Sequence, residues 1–114
     1  MSPEKFQSLS SRIHAAVANV RGIALISSDG AILHYEGEKV ADERLMGVAG
    51  AAVMRVAELV GDGLAECATQ EIIIRCQKHV ALFLPQSADT LLMVVFPADA
   101  NAHGLGQQIM ALDG

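Results

Sequence analysis

The sequence is short of charge, and of positive charge above all. Eight Lys and Arg stand against thirteen Asp and Glu, giving 114 residues a net charge of −5. The basic residues are scattered singly from Lys5 to Lys78. Nucleic-acid phosphates call for clustered Lys and Arg, so a nucleic-acid partner is excluded. A membrane-inserting helix is excluded too, because the uncharged helical stretch Leu45–Met54 holds ten residues where a span needs roughly 20. Met1-Ser2-Pro3-Glu4-Lys5 lacks the apolar centre of a signal peptide, and a cytoplasmic protein is expected. Cys67 and Cys76 are the only cysteines, nine residues apart in what reads as one strand. Their odd separation points them to opposite faces, so free, partly buried thiols are expected rather than a bridge.

Motifs that carry chemistry are missing as well. There is no Gly-x-x-x-x-Gly-Lys-Ser/Thr loop to cradle phosphates and no Gly-x-Gly-x-x-Gly after a strand. His14, His34, His79 and His103 show no i, i+4 pairing among themselves, the spacing of a helical metal site. Cys76 and His79 are close because a tight turn separates them, and Glu36 and Glu38 read as solvated loop carboxylates. No active site, metal or cofactor is expected, and the chain reads as a non-enzyme.

Apolar residues, by contrast, are plentiful: 52% of the chain is hydrophobic, high for a domain that exposes much of its surface. The excess suggests an interface in addition to a core. Phe6, Leu9, Ile13, Ala16, Val17 and Val20 recur at helical spacing from Pro3 to Val20, with Ser2 able to cap and Pro3 at the first position. Ile23–Ser27 and Ala31–Tyr35 flank Ser28-Asp29-Gly30, a hairpin signal. A long helix from Lys39 to Asp62 follows. Next comes an alternating strand from Glu66 to Cys76, with Ala68, Ile72, Ile74 and Cys76 on one face and Thr69, Glu71 and Arg75 on the other. His79–Leu84 and Thr90–Phe96 are apolar on both faces, the mark of central strands covered by helices on both sides. Asn101 can cap a last helix carrying Ala102, Leu105, Ile109 and Leu112. The expected fold is a single α+β sandwich domain over residues 1–114. It has a five-stranded antiparallel sheet in the order α-β-β-α-β-β-β-α, with two helices on one face and the long helix on the other.

That long helix is apolar nearly all the way round. Leu45, Val48, Ala49, Ala52, Val56 and Leu59 make one stripe; Met46, Gly47, Gly50, Ala51, Met54 and Ala57 make a second beside it. Arg44, Arg55, Glu58 and Asp62 fill a narrow remaining strip. A surface helix needs only one stripe for its core. Each interior glycine costs about 1 kcal/mol relative to alanine, a cost best tolerated where another backbone comes close. The second stripe is therefore expected to be covered from outside the monomer. Close packing of the glycines on the chain's own sheet is the plainer alternative.

Gly22-Ile23-Ala24-Leu25-Ile26-Ser27-Ser28-Asp29-Gly30-Ala31-Ile32 resembles the first hairpin of the roadblock/dynein light chain family. The Gly- and Ala-rich helix from Ala41 to Val60, the strand pair around Glu71–Leu84, and Leu91–Val95 followed by Asn101 extend the resemblance from about Phe6 to Leu112. It implies a homodimer in which the second helix packs antiparallel on its twin and the third strands join edge to edge. Carried onto this chain, Met46, Gly47, Gly50, Ala51 and Met54 would lie near the helix contact, and Thr69, Glu71, Ile73 and Arg75 in the joining strand. Prokaryotic members are similar to a gliding-motility regulator that binds a small Ras-like GTPase, which makes such a GTPase the expected partner. Arg44 and Arg55 are the candidate partner-binding residues, with solvation of the helix as their plainer role. A dimeric scaffold for another signalling or motor protein, and a profilin- or PAS-like ligand sensor, are the alternative functions.

Overall fold

In chain order the elements are α1 (Pro3–Ala16), β1 (Gly22–Ser27), β2 (Ile32–Gly37), α2 (Glu43–Gly63), β3 (Ile72–Arg75), β4 (His79–Pro85), β5 (Thr90–Pro97) and α3 (Leu105–Ala111). They come from a computed structural model that describes residues 1–39, 42–65 and 67–113. The strands form one antiparallel sheet in the order β2-β1-β5-β4-β3. Its three central strands are the three without alternation, because side chains on both their faces must leave water. On one face Ile23, Leu25, Val80, Leu82, Leu84, Leu92, Val94 and Phe96 pack with Phe6, Leu9 and Ile13 of α1 and Ile109 of α3. On the other, Ala24, Ile26, Phe83, Leu91 and Met93 pack with Met46, Val53 and Met54 of α2. The element order and the division of helices between the faces are those expected from the sequence.

Local chemistry sets the boundaries. Ser2 Oγ accepts the Lys5 N–H at 3.2 Å, with Pro3 opening α1, and Asp42 accepts the Leu45 N–H at 3.0 Å to start α2. Both satisfy amides that a helix start leaves without a partner. In the β1–β2 turn Gly30 takes φ +93°, a left-handed conformation that glycine adopts without steric cost. The Ser27 hydroxyl there donates to the Asp29 carboxylate.

Four expected boundaries are corrected. The long helix starts at Glu43, after its Asp42 cap, rather than at Lys39. The first helix stops at Ala16, and Asn19 (φ +64°) turns the chain, although Val17 remains buried. Asn101 does not cap the last helix. Its side chain accepts the His103 N–H at 3.1 Å in a turn, and α3 starts after Gly104. The third strand holds four residues rather than eleven. Glu66 lies outside the described residues. The segment after it bonds to α2 instead of to a strand: Cys67 N–H donates to Gly61 C=O at 2.9 Å and Thr69 Oγ1 to Ala57 C=O at 3.2 Å. Cys67 and Cys76 consequently lie outside β3, both free and exposed rather than partly buried.

One core position is under-satisfied. Ser10 is buried in α1 with no hydrogen-bond partner for its hydroxyl among the described residues. Ser10→Ala removes that desolvated group and raises helix propensity, so stability is expected to increase by about 1 kcal/mol. Urea unfolding followed by circular dichroism checks this; a lower midpoint would show that the hydroxyl has a partner in solution.

Candidate interaction surface

The structure reverses the two stripes of α2. Met46, Gly47, Gly50 and Met54, expected to face outward, turn toward the chain's own sheet together with Val53; Ala57, also expected outward, is half-buried, and the buried Gly61 faces the Cys67 carbonyl of the segment after the helix. A Cβ on Gly47 would collide with the carbonyl of Gly30, and one on Gly50 would stand 2.7 Å from the Ile26 side chain. The glycines let the helix axis lie close on β1 and its turn, which is the alternative weighed above. Ala51 is half-buried at the edge of this contact. Helical spacing identifies two apolar stripes but does not say which one a sheet will take; the close approach at Gly30 decides it.

What remains open is the other stripe. Leu45, Val48, Val56 and Leu59 are each more than half exposed, Ala52 is exposed between them, and Val60 (50%) and Leu64 (64%) continue the surface. Val60 and Leu64 were missed in the sequence reading, although they repeat the four-residue step from Val56. The five positions Leu45, Val48, Ala52, Val56 and Leu59 are spaced three, four, four and three. Both their spacing and their identities read the same in either direction from Ala52. These five positions would meet their own equivalents across a two-fold axis at Ala52, whereas Val60 has Arg44 as its counterpart about that residue. Arg44, Arg55, Glu58 and Asp62 line one flank of the stripe at about 100° per residue. Arg55 Nη1 lies 3.0 Å from Glu58 Oε2 in an exposed i, i+3 pair.

β3 forms one edge of the sheet. It pairs with β4 through Ile72↔Phe83, Ile73↔Leu82, Ile74↔Ala81 and Arg75↔Val80, and no other described strand covers its second side. Such an edge offers unpaired N–H and C=O groups to another strand. Ile73 and Arg75 belong to it. Ile73 packs toward the α1/α3 core, and Arg75 donates from Nη1 and Nη2 to the carbonyls of Ala98 (2.8 Å) and Ala100 (3.1 Å). Ile72 and the exposed Ile74 occupy the α2 face. Thr69 and Glu71 precede the strand, which corrects their placement in it. Thr69 is tied to α2, and the Glu71 carboxylate sits where a Cβ on Gly106 of α3 would come within 2.5 Å.

Among the described residues several polar groups elsewhere form pairs. Glu36 contacts His14 at 2.8 Å and Glu38 contacts Arg21 at 3.1 Å, both toward solvent. Tyr35, between them, donates to the Glu38 carbonyl. Burial, followed by the nearby carboxylates of Glu38, Glu36 and Glu43, pushes its phenol pKa up, which keeps the hydroxyl protonated and donating. Cys76 and His79 are joined through the backbone of a tight turn, N–H to C=O at 2.8 Å. A cleft of about 520 Å³ lies between the C-terminal half of α2 and the β4–β5 turn, lined by Met54, Glu58, Asp62, Cys67, Pro85 and Leu91 among others. Among the described residues no group of three or more His, Cys, Asp or Glu is placed to hold a metal ion, and no helix is long and apolar enough to cross a membrane.

Comparison with known proteins agrees with this architecture. MglB of Myxococcus xanthus superposes with a TM-score of 0.81 at 14% identity, covering 99% of this chain and 91% of that one. The gliding protein MglB of Thermus thermophilus gives 0.76 at 14% identity, covering 98% and 90%. An MglB solved in a tetrameric arrangement gives 0.72 at 16%, covering 96% and 88%. At such identities the likeness is one of fold. No curated protein matches the sequence. Residues 11–96, most of the chain, match the Roadblock/LC7 domain, and the chain belongs to that family.

Proposed function

We propose that this chain is a non-enzymatic regulator that works as a homodimer in the cytoplasm. As a dimer it binds a small Ras-like GTPase and changes its GTP hydrolysis or nucleotide state. The observation that carries the reading is the exposed, two-fold-symmetric apolar stripe of α2, centred on Ala52, which no described element of the chain covers. A monomer in water would leave five large apolar side chains of α2, and Leu64 at its C-cap, at least half exposed, a pattern associated with partner surfaces. The open β3 edge is a second unpaired surface, and a separate place where a copy could pair.

Membership of the Roadblock/LC7 family supports a regulatory role, and the tetrameric arrangement of a related MglB supports self-association. The GTPase rests on the resemblance to the gliding-motility regulator. In that system the regulator is thought not to supply an arginine finger, in keeping with the paired, solvated state of Arg55 here. Arg44 and Arg55 flank the stripe and would lie beside a partner docked along the seam.

The test is GTP turnover by the Ras-like GTPases of the same genome, each measured with and without this protein. Altered turnover or nucleotide release for one of them is expected. If affinity and turnover are unchanged for all of them, the reading gives way to a scaffold for a different protein. The cleft beside Cys67 is where a small molecule would sit in a ligand sensor, and a compound that co-purified with the protein would favour that alternative.

A further inference from the structure

The charges on α2 are arranged unfavourably for the helix that carries them. Arg44 stands in the first turn, where the macrodipole is positive. Asp62 stands in the last turn, where it is negative, and that turn holds no basic residue. Glu58 and Asp62 are like charges at i, i+4, a further repulsion. Glu58 has Arg55 as a partner, whereas Arg44 and Asp62 have no ion-pair partner among the described residues. All of these charges lie on one flank of the exposed stripe.

An antiparallel copy related by a two-fold axis at Ala52 reverses each of these defects. That axis brings like flanks together, so the charged flank of one helix faces the charged flank of the other. With a rise of 1.5 Å per residue, Arg44 lies about 12 Å to one side of Ala52, Glu58 about 9 Å and Asp62 about 15 Å to the other side. Arg44 of each copy then falls between Glu58 and Asp62 of the other, about 3 Å along the axis from either. Each misplaced charge also comes to the end of the neighbouring helix that favours it: Arg44 at a C-terminus, Asp62 at an N-terminus. The pair repeats twice in the dimer, and both acidic members stand on the rim of the 520 Å³ cleft.

We infer that Arg44 and Asp62, with Glu58, form a charge code on α2 that selects a second copy of this chain in antiparallel register about Ala52. The code rests on the homodimer proposed above and adds to it the register and the charged side chains that set it. A related domain with another charge order on this flank would meet like charges and be rejected.

Charge exchange tests it. Arg44→Asp sets an acid against both Glu58 and Asp62 of the copy, four like-charge contacts in the homodimer, and Asp62→Arg sets a base against Arg44, two such contacts; each is expected to weaken self-association, the first at least about tenfold. The double variant Arg44→Asp/Asp62→Arg restores the 44–62 pair and is expected to associate more tightly than the Arg44→Asp single variant; adding Glu58→Gln, which removes the remaining contact of like charges, is expected to bring recovery close to wild type. An equimolar mixture of the two single variants is expected to form a heterodimer, read by sedimentation of differently tagged chains. Single variants that self-associate like wild type, or a double variant that stays as weak as the Arg44→Asp single variant, would overturn the register while leaving a dimer in place. A wild-type chain that is monomeric at every concentration would overturn the self-association itself, and the code with it. Circular dichroism on each variant checks that these exposed substitutions leave the fold unchanged.

Discussion

Leucine in place of Gly47 is expected to destabilise the fold severely while leaving it able to form. A side chain there runs into the carbonyl of Gly30, a backbone atom in a turn that Gly30 holds at φ +93°. A flexible side chain could swing aside, but a turn carbonyl held between β1 and β2 does not. Overpacking of this kind costs about 1–3 kcal/mol and more where backbone must move, against a total stability of about 5–15 kcal/mol for such a domain. Gly50→Leu acts through the same contact one turn on, pressing on Ile26, which is fully buried. Urea unfolding should show a midpoint lowered by the equivalent of about 3 kcal/mol or more for Gly47→Leu. A variant that kept its wild-type midpoint and lost only self-association would place the glycine at an open seam instead.

Arginine in place of Ala52 is expected to do the opposite: separate the dimer and spare the fold. Ala52 is exposed at the centre of the stripe, where in the proposed dimer its small side chain would let two helices come close. A two-fold contact brings each substitution in twice, so two arginines would meet at the tightest point of the seam. Self-association should weaken at least about 100-fold, or roughly 2.7 kcal/mol. Arginine is a good helix former and the position is exposed, so the monomer's stability should change by no more than about 0.5 kcal/mol. A second signature follows from mass action. The thermal midpoint of the wild type should rise with protein concentration, and that of Ala52→Arg should not. Light scattering and thermal scans over a concentration series read both effects.

The contrast between these two positions shows where sequence reasoning succeeded and where it stopped. The central strands were legible because Leu82–Leu84 and Leu91–Phe96 leave no polar face, and such strands need cover on both sides. The separate cores under α1/α3 and α2 follow from that. The long helix was legible as a helix with more apolar surface than one sheet can use. Which stripe the sheet takes was not, because Gly47 and Gly50 suit a close approach to any backbone and spacing does not name the backbone. The deciding contact, Gly47 against Gly30, joins residues seventeen apart and exists only once the hairpin and helix are docked. The short third strand was obscured in the same way: Thr69 alternates correctly for a strand, yet its hydroxyl finds Ala57 of α2 first. The apolar surplus of α2 was thus legible in the sequence, and which stripe stays exposed was decided by packing.

The measurement that bears most directly on this seam is disulfide cross-linking at its centre. Ala52→Cys is made in a chain whose two native cysteines are replaced by serine, and Gln7→Cys on exposed α1 serves as the control. Residues on a two-fold axis between closely packed helices approach within the roughly 4.4–6.8 Å Cα separation a disulfide requires. Mild oxidation should convert the Ala52→Cys protein almost entirely to a covalent dimer while the control stays largely uncrosslinked. A wild-type protein that is dimeric in solution, with the cysteine introduced at Ala52 no more reactive than the control, would contradict the account and place the interface on another surface.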